Sequence, residues 1–139
     1  MAPRDLPDLS LDAAPAFLRG AGLQVEEATA TRVTGTIAAG ADQHTPWGVV
    51  HGGVYTTAVE SACSIGASLA VIEGGEFAVG LANQTDFLRP HFEGDLRVTA
   101  TPIQQGRTQQ LWQCDIARPD GKLVARGQLR LQNVPLRDS

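Results

Sequence analysis

From Val54 to Ile72 apolar and small side chains recur at helical spacing, with Val54, Ala58, Ser61, Ala62, Ile65, Leu69 and Ile72 on one stripe. Gly66 is the one interruption and Gly74-Gly75 the stop, so the spacing predicts a single long helix. Beyond Gly75 the period changes to two. Leu96, Val98 and Ala100 alternate with Arg97, Thr99 and Thr101; Trp112, Cys114 and Ile116 with Leu111, Gln113 and Asp115; Gly127, Leu129 and Leu131 with Gln128, Arg130 and Gln132. Glu93-Gly94-Asp95, Gln105-Gly106 and Asp120-Gly121 punctuate these runs as turns. Four strands are expected over 77–88, 95–104, 108–118 and 122–132, as an antiparallel meander.

Two shorter strands precede the helix, at 23–29 and 32–38, the second alternating Val33, Gly35 and Ile37 with Thr34 and Thr36. Residues 1–9 read as a loose lead-in. Ser10 is placed to cap a short helix running to Arg19, with Gly20 as its stop and Phe17 and Leu18 facing inward. A helix of about 20 residues spans about 30 Å, so one sheet must curl around it, and the class is α+β. No repeat or linker divides residues 1–139, and one domain is expected.

Hydrophobic residues make up 42% and charged residues 19%, which excludes a disordered chain. A net charge of −4 argues against a basic nucleic-acid-binding surface. No run of 18 apolar residues announces a membrane span, and Met-Ala-Pro-Arg-Asp-Leu-Pro-Asp is no signal peptide. Cys63 and Cys114 lack CxxC or zinc spacing and read as reduced core residues of a cytoplasmic protein.

Charge then singles out one residue. Between Asp42 and Glu73 the only Asp, Glu, Lys or Arg is Glu60. Opposite the apolar stripe stand Tyr55, Thr56, Thr57, Cys63, Ser64, Ala67 and Ser68, a small neutral face where a monomer would show charges. A second surface covering it is expected, most simply another copy of the chain. Glu60 points toward that surface, with Ser64 one turn on, in the setting where a carboxylate serves as base or nucleophile. Just before the helix stands His51-Gly52-Gly53, where backbone N–H groups at a helix start can polarise a carbonyl.

His44, His51 and His91 do not share a metal spacing, so no metal is expected. GxSxG, P-loop and GxGxxG patterns are absent, and neither cysteine has an activating cation or histidine nearby in sequence.

His51-Gly52-Gly53 followed by Glu60, with Phe87-Leu88-Arg89-Pro90 and Gly94 downstream, resembles the hotdog-fold acyl-CoA thioesterases. Within them it is most similar to the phenylacetate-degradation and Arthrobacter-type 4-hydroxybenzoyl-CoA branch, over residues 20–133. The resemblance implies a hotdog fold, in which a curved antiparallel sheet wraps the long central helix. It also implies hydrolysis of acyl-CoA thioesters, aromatic ones foremost, with no cofactor beyond the coenzyme A of the substrate. Glu60 matches the catalytic carboxylate, Gly52 the residue whose N–H polarises the carbonyl, His51 a substrate-orienting residue, and Ser64 the hydroxyl that places water. Relatives carry Gln or Asn six residues before the HGG histidine; here that position is Thr45, with Gln43 or His44 as replacements. Sites shared between two subunits imply a homodimer or homotetramer, with Asn83, Gln84, Thr85 and Asp86 as cross-subunit contacts. Gly53 completes the loop, and Trp47 and Tyr55 are candidates to line the acyl pocket. Arg89, Arg107, Lys122 and Arg126 are candidates for the coenzyme A phosphates. A non-catalytic acyl-CoA binder and a hotdog acyl-thioester hydratase or dehydratase are the alternative readings.

Overall fold

The computed structural model describes residues 7–10 and 13–137. Most of the expected lead-in, and two residues of the helix expected after Ser10, lie outside these. The elements are α1 (Ala16–Ala21), β1 (Leu23–Ala28), β2 (Val33–Ala39), α2 (Gly52–Val71), β3 (Glu76–Phe87), β4 (Gly94–Gln105), β5 (Gln109–Ala117) and β6 (Leu123–Pro135). Helix α2 starts because His51 is still extended and its Nδ1 accepts the Gly53 N–H at 2.8 Å, satisfying one of the unpaired donors of a first turn. It ends in one 3-10 turn, Ile72–Gly74, closed by Gly75 at φ +82°, a conformation that favours glycine.

The strands form one antiparallel sheet in the order β1-β2-β4-β5-β6-β3, with α2 against it. This is the hotdog arrangement. The four-strand meander holds only for β4, β5 and β6. β3 is not beside β4; it pairs with β6 at the far edge, and β2 takes the place beside β4. Alternation specifies which residues face the core but not which strand is the neighbour. The chain leaves β2, lays α2 across the sheet and returns on its other side.

α1 also differs from expectation. It starts after Pro15, runs through Gly20, and stops at Gly22 with φ +79°. Phe17 is 75% exposed and Leu18 37%, so neither faces inward. A six-residue helix cannot bury two adjacent large side chains on one face.

Helix α2 is rotated from the expected stripe. Val54, Tyr55, Ala58, Val59, Ala62, Cys63, Gly66 and Ala67 are buried, whereas Ser61, Ile65, Leu69 and Ile72 are not. Tyr55, Cys63 and Ala67, expected outside, are core residues. Small residues fit either face, and what decides is the floor beneath: Trp112, Ile37, Leu96, Ile116, Leu129 and Leu131 are fully buried. Trp112 presses so close that a Cβ on Gly66 would stand 2.4 Å from its Cη2. The indole N–H donates to Gln110 Oε1 at 2.9 Å, and Gln110 Nε2 donates to the Ala67 carbonyl and to Asn133 Oδ1, both at 2.9 Å. This buried chain of hydrogen bonds ties β5 and β6 to the C-terminal part of α2.

Residues Gly52–Gly74, with mean hydropathy 1.2, are long and apolar enough to cross a membrane by length and composition. Glu60 and the hydroxyl residues nonetheless break any uninterrupted run of 18 apolar residues, as expected from the sequence. Here the same stretch packs its core face on the sheet.

Candidate active site

One face of α2 runs along β3. At the helix start Gly52 lies under the Phe87 ring, and a Cβ there would be 2.6 Å from Phe87 Cε2. One turn on, the Thr56 carbonyl accepts from Asn83 Nδ2 at 3.0 Å. Next comes Glu60, whose carboxyl Cδ stands 3.7 Å from where a Cβ on Gly80 would be. Further along, Ser68 Oγ accepts the Ala78 N–H at 3.0 Å. The register of β3 against β6 shifts between Gly80 and Ala82, which makes Leu81 an extra residue. The bulge reverses the alternation, so Ala78 and Gly80 before it, and Asn83, Thr85 and Phe87 after it, share the helix-facing side.

That reversal sorts the expected strand contacts. Asn83 and Thr85 face α2 and join each other, Thr85 Oγ1 donating to Asn83 Oδ1 at 2.7 Å. Gln84 is on the opposite face of the sheet, in a hollow with Gln104, Gln128 and Arg130, and is not part of this cluster. Asp86 shares its side.

Glu60 is exposed, with no ion pair among the described residues. It remains the only charged side chain within α2. Ser64 is half-buried one turn on, its hydroxyl without a hydrogen bond among the described residues. At the helix start the Gly52 N–H likewise has no partner among the described residues, while Gly53 and Val54 donate to His51 Nδ1 and to the His51 carbonyl. With Nδ1 accepting, a neutral His51 carries its proton on Nε2. Beside Gly52 opens a hollow of about 230 Å³, lined by Tyr55, Phe87, Leu88 and Arg89 among others. The Tyr55 hydroxyl is enclosed and makes no hydrogen bond among the described residues, and burial raises its pKa. The Tyr55 and Phe87 rings lie 5.9 Å apart.

The proposed stand-ins for Thr45 are otherwise engaged. Gln43 is buried, accepting the Gly40 N–H and donating to the Gly20 carbonyl, both at 2.9 Å. His44 Nε2 pairs with the Phe92 carbonyl. Both therefore hold the loop in shape. Thr45 itself accepts the Trp47 N–H at 3.3 Å, and Trp47 stands 84% exposed at the loop tip, outside the hollow.

Among the candidate cations, Arg126 is held by Asp115 through two hydrogen bonds at 2.6 and 2.9 Å. Arg89 donates to the Leu123 carbonyl at the rim of the Gly52 hollow. Arg107 and Lys122 are exposed and join neither group. Cys63 and Cys114 are buried free thiols; the Cys114 thiol beside it and burial push Cys63 far up, so it is no nucleophile. Among the described residues no group of three or more His, Cys, Asp or Glu is arranged to hold a metal.

Sequence reading overlooked Gly80, the glycine beneath the Glu60 carboxyl. A glycine inside a strand marks a bulge or a close approach, and here it marks both.

The sequence profile of the thioesterase superfamily matches residues 48–125. The chain is 46% identical over 92 residues to protein Rv1847 of Mycobacterium tuberculosis, covering 65% of this chain and 66% of that one. The solved structure of Rv1847 aligns over 89% of this chain and all of the other, with a TM-score of 0.84 at 37% identity. The crystal structure of thioesterase HI1161 from Haemophilus influenzae aligns over 99% and 98% of the two chains, with a TM-score of 0.85 at 28% identity. A 1,4-dihydroxy-2-naphthoyl-CoA hydrolase of Escherichia coli is 32% identical over 84 residues, covering 60% of this chain and 61% of the hydrolase.

Proposed function

The chain belongs to the thioesterase superfamily, and on that premise we propose that it hydrolyses acyl-CoA thioesters to free acid and coenzyme A, with aromatic acyl groups preferred. The named activity of the E. coli relative supports the aromatic preference. The free thiols suit a cytoplasmic enzyme.

The observation that carries the reading is the placement of two groups on α2: an N–H at Gly52 with no partner among the described residues, and the exposed carboxylate of Glu60. Eight residues of helix separate them by about 12 Å, and the Gly52 N–H points out of the helix start, away from Glu60. One thioester carbonyl does not meet both groups of a single chain. Two copies joined along β3 remove the difficulty. β3 is an edge strand with Val79 41%, Leu81 53% and Phe87 57% exposed, a surface that invites pairing. Antiparallel pairing centred on Asn83 and Gln84 sets Gly80 of one protomer opposite Phe87 of its partner. Glu60 of one copy then stands near Gly52 of the other.

In such a site the Gly52 N–H draws charge onto the thioester oxygen as the carbonyl carbon becomes tetrahedral. Glu60 supplies the attack, either directly, through a mixed anhydride that water then cleaves, or by taking a proton from a water held by Ser64. In both routes the C–S bond breaks, the thiolate leaves with the electron pair and takes up a proton, and one water is consumed. Thr45, shorter than an amide side chain and engaged with Trp47, favours a second reading: an acyl-CoA binder without turnover.

Thiol release from a panel of aromatic and aliphatic acyl-CoAs separates the two, using wild type, Glu60→Ala and Gly52→Ala. Turnover by wild type, lost in each variant and regained on refolding the two variants together, supports a hydrolase with sites shared between copies. Without regained activity the shared site fails. Binding without thiol release in wild type makes the protein a binder.

A further inference from the structure

Along β3, Asn83 lies between Phe87, which covers Gly52, and Gly80, which lies beneath Glu60. We infer that Asn83 is a positioning residue: through the Thr56 carbonyl it fixes the turn of α2 that carries Glu60 to the strand along which two copies would meet. This rests on the proposed thioester hydrolysis.

The bonds form one chain. Within an α-helix the carbonyl of residue 56 accepts the N–H of residue 60. Asn83 Nδ2 donates to the same Thr56 oxygen at 3.0 Å, so β3 holds the backbone of Glu60's own turn through that oxygen's second lone pair. One turn earlier Thr56 Oγ1 donates to the Gly52 carbonyl at 3.2 Å. Gly52, Thr56 and Glu60, four residues apart, therefore share one row on the helix side that faces β3. Among the described residues no other strand side chain bonds α2 ahead of Ala67.

The half-buried amide of Asn83 is oriented by what surrounds it. A carbonyl only accepts, so the amide NH2 faces Thr56, which leaves Oδ1 for the Thr85 hydroxyl, donated at 2.7 Å. Room for that hydroxyl comes from Gly127, paired with Thr85 on β6. A Cβ there would stand 2.6 Å from Thr85 Oγ1 and 2.8 Å from Cγ2 of Val59, the neighbour of Glu60. The Glu60 carboxylate makes no hydrogen bond among the described residues, so the turn it hangs from sets its place.

In antiparallel pairing centred on Asn83 and Gln84, Asn83 lies at the middle of the joint. A shift in its grip on the helix then changes the span from Glu60 to Gly52 of the other copy. Misplacement by about 1 Å costs roughly 10²-fold in rate.

Three variants test this. Asn83→Leu removes both amide bonds at similar volume; Thr85→Val removes the hydroxyl that orients the amide, and Thr85→Ser keeps it. Steady-state hydrolysis of benzoyl-CoA and 2-naphthoyl-CoA is measured beside amide hydrogen exchange across α2, with melting and elution volume as controls for fold and assembly. Asn83→Leu is expected to lower kcat about 30- to 100-fold with KM within about twofold. Thr85→Val should lower kcat about fivefold, and Thr85→Ser should return it to within about twofold of wild type. Exchange at the Glu60 amide should quicken about tenfold in Asn83→Leu, while amides beyond Ala67 keep their rates.

Wild-type kcat in folded Asn83→Leu overturns the inference, as does an unchanged exchange rate at Glu60, or an equal loss in Thr85→Val and Thr85→Ser. Should Asn83→Leu fail to fold, the two Thr85 variants decide alone. Should wild type hydrolyse neither thioester, hydrolysis fails, and exchange at Glu60 still decides whether Asn83 holds the turn.

Discussion

The Phe87 ring occupies the space a side chain at Gly52 would need: its Cε2 and Cζ lie 2.6 and 2.8 Å from the Cβ position. Glycine at the helix start is thus a packing requirement. Gly52→Ala is expected to push the ring aside, tilt the first turn and lower kcat/KM by roughly 10²-fold, the scale of losing one donor to a developing oxyanion. Adding Phe87→Ala frees the space, and steady-state kinetics of the double variant should recover part of that loss.

Gly66→Ala addresses the opposite end of the same design. Its methyl group would meet Trp112 at 2.4 Å, in a core where Trp112 cannot retreat without breaking its bond to Gln110. The expected cost is about 1–3 kcal/mol of stability, read as a lower urea midpoint with an unchanged slope. Turnover per folded molecule should be preserved.

Tyr55 is the chain's one tyrosine, and its hydroxyl is enclosed without a partner. Tyr55→Phe removes that liability and is expected to stabilise the fold by roughly 1 kcal/mol. The pH dependence has a defined sign. Burial raises the folded pKa above the ordinary 10.0, so the unfolded chain loses its proton first. This contribution to wild-type stability is full below pH 10 and is lost as pH rises toward the folded value. The Phe variant lacks that loss, and tyrosinate absorbance during an alkaline titration reports the one group directly.

Gln43→Ala should behave as a structural lesion. It leaves the Gly40 N–H and the Gly20 carbonyl without the side chain that pairs them, at a cost of about 2 kcal/mol. A lower melting temperature is expected. A variant that kept its melting temperature while losing turnover would instead return Gln43 to the substrate.

How much of this could be read from residues alone depends on what each residue type encodes. Five of the six strands end within one residue of the alternation in the sequence, and β6 runs three residues further, to Pro135. Glu60 and His51-Gly52-Gly53 are visible because a lone charge in an apolar helix and a glycine pair before it are local signals. The position of β3 beside β6 is not local, and nothing in its alternation names a neighbour. The rotation of α2 was hidden because alanine, serine, glycine and cysteine fit both a core and a surface. The bulge at Leu81 put Asn83 and Thr85 toward the helix and Gln84 away, a parity that counting by twos gets wrong from that residue on. Gln43 looked like chemistry; its geometry shows a brace.

The order of elements has a consequence for how the protein is made. Helix α2, apolar enough to sit in a bilayer, leaves the ribosome before β3, β4, β5 and β6, and of the six strands only β1 and β2 precede it. About sixty further residues must be added before its floor is complete, which takes several seconds at roughly 5–20 residues per second. Throughout that interval the nascent chain presents a naked, nearly uncharged helix to every sticky surface in the cell. The strand order compounds the delay, because the far edge of the sheet closes only when β6 arrives to pair with the waiting β3. Expression of this chain should therefore depend on chaperone capacity and growth temperature more than its folded stability alone implies.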